Sequence, residues 1–544
     1  MKTIVIPAAG LGSRLSTFTK NYSKAMCTLG EKPVISYIID KFSDEDEIII
    51  LLGYKGDLLR QVVSACHPNK NITFVEVDNF EGPGSGLGYS LHCAYDLLQK
   101  PFIFWSCDTV LPSFDINAVS YDNNWAVCSN AASDEFFTEY RHFRLGAGNK
   151  VIDILPKDVP QRDDILSYVG VSFIRDYEDF WKAYFVNEES FVKDGETFGL
   201  RNLKQINAYQ VTDWIDMGNK VKFEYYKKQY NEAMNATILE KPDEAIWFIN
   251  GNVVKFHINE KFISDRVERF KLMLCDKQKK NGILLPELLS YTKNTYTYKM
   301  APGIIASRVI TTNMLQDILK RYLDAVDTSV NKKLTADEKY EIFKDFYLDK
   351  TISRINKYCT EYTDIDNECY INGIHCLPAS ELVNKINWKL LSENGVFTPN
   401  FHGDFHLENI LVNKNKYIML DWRQNFGKSM IGDTYYDIAK MWHSFIVNHE
   451  MVKRDLFVVE NEDANHIKID IHRTFIDTEC EKALVDWLDN SSIYDKGQAE
   501  LMTAIIFLNI AACHVYPYSK FLFNLGKLMI NNFYIKSNNK KYFV

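Results

Sequence analysis

Between Thr3 and Trp105, short apolar runs alternate with amphipathic stretches: Thr3–Pro7, Pro33–Phe42, Glu47–Leu52, Leu58–Ala65, Thr73–Val77, Gly86–Leu98 and Phe102–Trp105. Strands separated by helices at this spacing predict a parallel sheet in an α/β fold, because parallel neighbours need a crossover connection. The pattern closes near Tyr230, which sets a first domain at 1–230. Residues 231–243 read as a linker, since the alternation stops and Glu240-Lys241-Pro242-Asp243 carries turn chemistry.

A chain of 544 residues outgrows a single hydrophobic core, so at least one more domain is expected. With 46% hydrophobic and 25% charged residues, the composition supports two sizeable cores. The net charge of −9 argues against nucleic acid as a partner, because phosphate backbones are bound by clustered Lys and Arg. Any phosphate site must be local. The 11 cysteines show no CxxC pair and no zinc spacing, so buried thiols in a reducing cytoplasm are expected. Met1 runs directly into Thr3–Ile6 with no export signal. Leu501–Val515 falls short of the ~20 residues of a membrane span and reads as a buried helix, so no membrane insertion is expected.

The second half opens with a hairpin, Ala245–Ile249 and Val253–His257, joined by the tight-turn pair Asn250-Gly251. A helical pattern follows from Ser264 to Cys275. Residues 244–310 form a first lobe and 311–544 a second, mostly helical one, with Thr311, Thr328 and Thr335 as helix starts. One β segment interrupts the helices, where Asn409–Val412 and Tyr417–Leu420 flank Asn413–Lys416.

At the end of the first strand, Ile6-Pro7-Ala8-Ala9-Gly10-Leu11-Gly12-Ser13-Arg14 is a loop of small residues whose backbone amides can approach an anion, with Arg14 adding a cation. Ser23-Lys24-Ala25-Met26 brings a second cation. Together these segments resemble the nucleotidyltransferase family that includes sugar-1-phosphate nucleotidyltransferases and phosphocholine cytidylyltransferases. Ser13 stands where that family has Thr, and Ser23 where it has Pro.

The resemblance implies a Rossmann-like domain with a mostly parallel sheet. It makes Ala8, Ala9, Gly10, Gly12 and Ser13 nucleotide-binding, with Gly84, Ser85 and Gly86 of the second glycine-rich stretch Glu81–Gly88. Arg14 and Lys24 would hold the triphosphate and the attacking phosphate. Asp108, after Phe104-Trp105-Ser106-Cys107, and Asp216, in Asp213–Gly218, would hold Mg²⁺. Lys157 in Ile154–Lys157 and Gly170 in Tyr168–Phe173 are similar to acceptor-binding segments of the sugar-phosphate branch, although the Glu of that segment is missing. The Gly170 strand is equally compatible with the phosphocholine branch, for which Trp105 and the tyrosines could supply a cage for a quaternary ammonium.

His402-Gly403-Asp404-Phe405-His406-Leu407-Glu408-Asn409, followed after a hairpin by Leu420-Asp421-Trp422, is the most specific constellation in the chain. It resembles the aminoglycoside phosphotransferase and choline kinase family, which implies a bilobal protein-kinase-like (α+β) domain. By that resemblance Asp404 is the catalytic base or hydroxyl-orienting acid, Asn409 and Asp421 hold Mg²⁺, and Asp437 is structural. Lys255 on the second hairpin strand would hold the ATP phosphates, with Glu268 on the following helix as its partner. No Gly-x-Gly-x-x-Gly loop precedes the hairpin, which leaves phosphate coverage to a turn near Pro242–Ala245.

A kinase makes a phosphomonoester and a nucleotidyltransferase consumes one. The two resemblances therefore imply consecutive chemistry on a small molecule, with ATP and a second nucleotide, CTP or UTP, as substrates. A sugar or choline could be the acceptor, a homo-oligomer stays open, and a non-catalytic kinase-like module is the alternative for the second half.

Overall fold

The computed structural model describes residues 1–130, 136–232, 243–273, 283–463 and 465–544. They form two compact units, residues 1–263 with 288–300, and residues 264–287 with 301–544. This division differs from the segments read off the sequence: the hairpin expected to open the kinase-like part belongs to the first unit.

In the first unit, Ile72–Glu76, Glu47–Leu52, Thr3–Ala8 and Phe102–Trp105 lie side by side and parallel, the centre of a nine-stranded sheet. Ile165–Ile174 joins antiparallel beside Phe102–Trp105. Successive strand side chains point to opposite faces. Accordingly Ile4, Ile6, Ile48 and Ile50 enter one core, whereas Val5, Ile49 and Leu51 enter the core on the other face. Helices such as Val34–Ile39 and Gly56–Cys66 supply the crossovers the alternation requires. The carboxyl ends of the central strands, where ligands bind in open α/β sheets, deliver the loop after Ala8 and the segment leading to Asp108 to one edge.

The hairpin forms as Glu244–Ile249 and Asn252–His257, with Asn250 and Gly251 both at positive φ as its turn demands. It continues into a four-stranded sheet with Thr295–Lys299 and Leu288–Tyr291. Trp247, Val254 and Phe256 of this sheet share a core with Ile38, Val62 and Val63. The Trp247 indole donates to Thr28 Oγ1 at 3.0 Å, and Gln61 Oε1 accepts from the backbone of Asn294 at 2.9 Å. Glu244 and Ala245 lie in the strand, and Pro242, where the phosphate-covering turn was expected to begin, lies outside the described residues, as does most of the expected linker. The helix after the hairpin runs Glu260–Met273, and its expected end at Cys275 is likewise outside them.

In the second unit Thr311 caps the helix Thr312–Ala325, and Thr335 forms a capping box with Glu338. Thr328 precedes only a short 3₁₀ turn, Ser329–Lys332. The strands Ile410–Asn413 and Lys416–Met419 turn on two residues, with Lys414 at φ 54°, a tighter connection than the sequence suggests. A further four-stranded sheet, Ile374–Cys376, Cys369–Ile371, His466–Ile471 and Phe457–Asn461, is unanticipated. The buried helix expected at Leu501–Val515 is Lys496–Ala511. Among the described residues no helix is long and apolar enough to cross a membrane, and the described cysteines are free.

Candidate functional sites

The N-terminal site is assembled by a small antiparallel pairing, Ile215↔Val110 and Asp216↔Thr109, which brings Asp216 beside the strand end that carries Asp108. The backbone N–H of Met217 donates to Asp108 O at 2.8 Å, and that of Gly218 to Asp216 Oδ1 at 2.8 Å. Gly218 marks where the two acids meet. A Cβ on it would lie 2.8 Å from Asp108 Oδ2, 3.1 Å from Asp216 Oδ1 and 3.5 Å from Arg14 Nη2. Only glycine leaves that space open.

Each acid is held by a lysine. Lys24 Nζ lies 2.7 Å from Asp108 Oδ2, and the Ser106 hydroxyl donates to Asp108 Oδ1 at 2.6 Å. Burial pushes the Asp108 carboxyl up, but Lys24, Ser106 and Arg14 outweigh it and hold it down at about 2. Burial likewise works against the Lys24 charge, and Asp108 more than offsets it, so Lys24 stays above the usual lysine range. Asp216 Oδ2 accepts from the Tyr140 hydroxyl, and Lys222 Nζ lies 3.7 Å away, donating to the same hydroxyl. The Lys222 ammonium sits over three rings, 4.7 Å from the centres of Phe136 and Tyr140 and 5.5 Å from Trp214. Burial lowers its affinity for the proton, against the pull of Asp216 and Glu139. Arg14 is exposed, with Glu139 4.0 Å away.

Ala8 and Ala9 are buried at the strand end, and Gly10 begins an accessible loop to Gly12, Ser13 and Arg14. Gly12 O accepts from Leu15 N at 2.9 Å and from Thr19 Oγ1 at 3.0 Å, which folds the loop over the strand. Gly84, Ser85 and Gly86 form an accessible turn before the helix Leu87–His92, closed by Ser85 Oγ on Gly82 O at 2.7 Å. Gly170 O accepts from Ser106 N at 2.8 Å and so touches the Asp108 segment, while Lys157 lies exposed just beyond Val151–Leu155. Trp105 is fully buried and donates to Thr109 O at 2.9 Å, so it is a core residue and not part of a cage. Tyr140, Lys222 and Gly218 escape sequence reasoning, because only the pairing of Asp216 with Thr109 brings them in.

The C-terminal loop is braced from beneath. Asp437, on the helix Thr434–Ile446, accepts from the backbone N–H of His402 at 2.9 Å and of Gly403 at 2.6 Å, and from the Tyr322 hydroxyl. Burial pushes its carboxyl up to about 6 despite these donors. Gly403 takes φ 81°, where a Cβ would lie 2.5 Å from Arg423 Cβ. Asp404 then faces Lys440 Nζ at 2.8 Å, three residues along that helix from Asp437 and so on the same face. Asn409 Nδ2 donates to Asp404 O at 3.0 Å and to Asp404 Oδ2 at 3.1 Å. Burial pushes the Asp404 carboxyl up, but Lys440 and His406 hold it well below the ordinary range.

Asp421 has φ 53°, a left-handed conformation that Asp adopts more readily than most other non-glycine residues. Arg266 Nη1 lies 2.6 Å from its Oδ1. The helix Glu260–Met273 therefore turns Arg266 and the fully buried Arg269 inward and leaves Glu268 exposed. The same helical phase leaves Glu268, the expected partner of Lys255, on the exposed face. Lys255, on Asn252–His257, belongs to the first compact unit and Glu268 to the second.

Residues 4–121 match the family described as the MobA-like NTP transferase domain, and residues 388–466 match the Phosphotransferase enzyme family. Both are families of enzymes. Among similar proteins are the "Bifunctional protein GlmU" of Methanococcus vannielii, 26% identical over 164 residues, 30% of this chain and 36% of that protein. The "Choline-phosphate cytidylyltransferase" of Streptococcus pneumoniae is 25% identical over 227 residues, 38% of this chain and 87% of that protein. The "UTP--glucose-1-phosphate uridylyltransferase" of Escherichia coli is 28% identical over 149 residues, 23% of this chain and 48% of that protein. The chain thus spans about a third of the length of the first of these relatives and about half that of the last.

Proposed function

Since a nucleotidyltransferase domain and a phosphotransferase domain share this chain, we propose that it is a bifunctional enzyme. The C-terminal part phosphorylates a small hydroxyl compound with ATP. The N-terminal part then transfers a nucleotidyl group from CTP or UTP to the resulting phosphate, releasing pyrophosphate. The observation that carries this reading is that each unit holds its own set of oxygen ligands and cations. Asp108 and Asp216 stand with Lys24 and Arg14 in one, and Asp404, Asn409 and Asp421 with Lys440 and Arg266 in the other.

Both sets fit Mg²⁺, a hard ion that uses one or two carboxylates and takes its other ligands from water and substrate phosphates. Asp108 and Asp216 turn oxygens towards one point across Gly218, and Asn409 and Asp421 would hold the ion of the kinase site. Bound there, the ion would neutralise phosphate charge as it builds in the transition state.

In the N-terminal unit the loop from Ala8 to Ser13 would receive the triphosphate, with Gly84, Ser85 and Gly86 along the nucleoside. Arg14 and Lys24 would align the α-phosphate with the attacking phosphate oxygen, so no protein nucleophile is needed. Lys222, 3.7 Å from Asp216, is a second candidate cation for the acceptor phosphate beside Lys157. In the C-terminal unit Asp404 would accept a hydrogen bond from the acceptor hydroxyl. It would serve as base or as hydroxyl-orienting acid, with the proton leaving as the oxygen bonds to the γ-phosphorus.

The acceptor we favour is a sugar phosphorylated at its anomeric hydroxyl, giving an NDP-sugar-type donor for surface glycan synthesis. Choline is the second reading, supported by the likeness to the choline-phosphate cytidylyltransferase. Against it, the aromatic faces beside Asp216 are already taken by the Lys222 ammonium. The test is ³¹P NMR of the protein with Mg²⁺, ATP, CTP, UTP and a panel of sugars, choline, ethanolamine and glycerol. A new phosphomonoester followed by a diphosphate diester is expected. Phosphate appearing on polypeptide alone would overturn the reading.

A further inference from the structure

Beside Asp404, the second unit gathers cations that its own carboxylates do not meet. The helix Ala336–Phe343 passes through a π turn, Lys344–Asp349, into the helix Lys350–Tyr362. Such turns are rare and frequent at functional sites. Lys350 Nζ lies over the Phe346 ring, 3.9 Å from its centre, and 5.5 Å from the centre of Tyr436. Arg354 follows Lys350 one turn on and shares its face, as Lys440 follows Tyr436 on the helix Thr434–Ile446. Arg423, two residues after Asp421, packs its Cβ over Gly403 and brings its Cζ to 5.1 Å from the centre of the same Phe346 ring.

Of these cations only Lys440 has a carboxylate partner among the described residues, Asp404 at 2.8 Å. Arg354 Nη1 lies 2.9 Å from the Cys513 sulfur, and the buried Nε of Arg423 has no hydrogen-bond partner. Burial, with the charges of Arg423, Arg354 and Lys440, holds the Lys350 ammonium well below the usual lysine range. An anion seated among these groups would relieve their mutual repulsion and satisfy the open donors.

The two oxygens of Asp404 divide the site. Oδ2 accepts from Asn409 Nδ2 at 3.1 Å, on the side of the metal and the nucleotide phosphates, whereas Oδ1 meets Lys440. The cations therefore gather on the side left to the acceptor. Guanidinium groups fork onto carboxylate and phosphate oxygens. A neutral sugar would leave these donors unmet, and the ammonium of choline would meet like charge.

We propose that Lys350, Arg354 and Arg423 form an oxyanion subsite of the phosphoryl transfer, so that the acceptor is an anionic hydroxyl compound whose carboxylate or phosphate sits on these cations while its hydroxyl meets Asp404. The proposal rests on the kinase reading of the C-terminal unit and narrows its acceptor to one bearing an acid group, such as an acidic sugar. In the step, the acceptor oxygen bonds to the γ-phosphorus, the bond from that phosphorus to the oxygen bridging it to the β-phosphate breaks with its electron pair leaving on ADP, and the hydroxyl proton passes by way of Asp404 to solvent.

The test uses the full chain with Mg²⁺ and ATP, and follows ADP release with matched acceptors: glucose, glucuronate and glucose 6-phosphate; glycerol, glycerate and glycerol 3-phosphate; and choline. Within a series an anionic member should exceed the neutral one about tenfold or more in kcat/KM, the acids marking a carboxylate ligand and the esters a phosphate. Arg423→Gln should raise the KM for that acceptor about tenfold or more, with the KM for ATP unchanged and kcat within about threefold, and Arg423→Lys should recover part of the loss. If Arg423→Gln fails to fold, Lys350→Gln, at a half-buried position, should raise the same KM. Sulfate titrated into the full chain with Mg²⁺ and a non-hydrolysable ATP analogue bound reads the subsite without an acceptor: the folded variant should lose one binding event that the unaltered chain shows, and this readout stands alone if no acceptor is turned over. Preference for a neutral compound or for choline, an unchanged sulfate titration, or a KM for ATP that rises as much as that for the acceptor overturns the subsite and leaves the kinase reading intact. ADP release that persists in Asp404→Asn overturns both.

Discussion

The N-terminal site gathers its acids Asp108 and Asp216 and its cations Arg14 and Lys24 from segments scattered between residues 14 and 216, whereas the C-terminal site takes its oxygen ligands Asp404, Asn409 and Asp421 from the single stretch 404–421, with Lys440 and Arg266 reaching in from outside it. The first is built by sheet topology, through parallel strands that end at one edge and the pairing of Asp216 with Thr109. The second is built by a local loop whose backbone amides are tied to one buried carboxylate, Asp437. The scattered site therefore depends on packing far from its chemistry, and the local one on the brace beneath it.

The dependence on remote packing is tested most severely at Trp247, which lies beyond residue 230 yet is fully buried in the core of the N-terminal unit. Trp247→Ala should destabilise that unit by about 3–5 kcal/mol in denaturant unfolding. A cost under about 1 kcal/mol would show that the hairpin sheet is only loosely docked.

Next in size is Lys24→Ala, which strips the buried Asp108 of its partner. Pyrophosphate release should fall by about 10²–10³-fold, the scale for losing one preorganised charge contact, while ATP-dependent phosphorylation continues. Equal loss in both assays would mean that the sites are not separable.

A smaller effect is expected from Gly218→Ala, whose methyl would meet Asp108 Oδ2 at 2.8 Å and part the two acids. A roughly tenfold fall in nucleotidyl transfer at unchanged thermal stability would separate misplacement from unfolding.

The mildest concerns Glu196, a buried carboxyl raised to about 7 by burial and by the nearby Asp108 and Asp194, against Arg141. In the native state it keeps its proton up to about 7, whereas an unfolded glutamate loses it above about 4.5. Its stabilisation is therefore present at low pH and lost as pH rises through that window. Glu196→Gln should flatten the fall in melting temperature between pH 5 and pH 7.5; an unchanged slope would place the titration elsewhere.

The same contrast explains what the sequence could tell. Runs such as Ile48–Leu52, the Asn250-Gly251 turn and the Thr335 capping box are local signals, and each forms as its chemistry requires. The loop His402–Asn409 is legible for the same reason. Lys440 and Lys222 are not, because they reach Asp404 and Asp216 only through tertiary packing. Arg266 is not legible either, since it meets Asp421 only in the folded chain. The strands Cys369–Ile371 and Ile374–Cys376, three residues each, are too short to show a period.

The central claim is that two separable active centres act in succession, and the most direct measurement is time-resolved ³¹P NMR of Asp404→Asn beside the unaltered chain. Given Mg²⁺, ATP, CTP or UTP and the free acceptor, the unaltered chain should form the phosphomonoester and then the diphosphate diester. The variant should form neither, yet make the diester at the unaltered rate when supplied with the phosphorylated acceptor. Phosphomonoester formation by the variant, or its failure with the phosphorylated acceptor, would contradict the account.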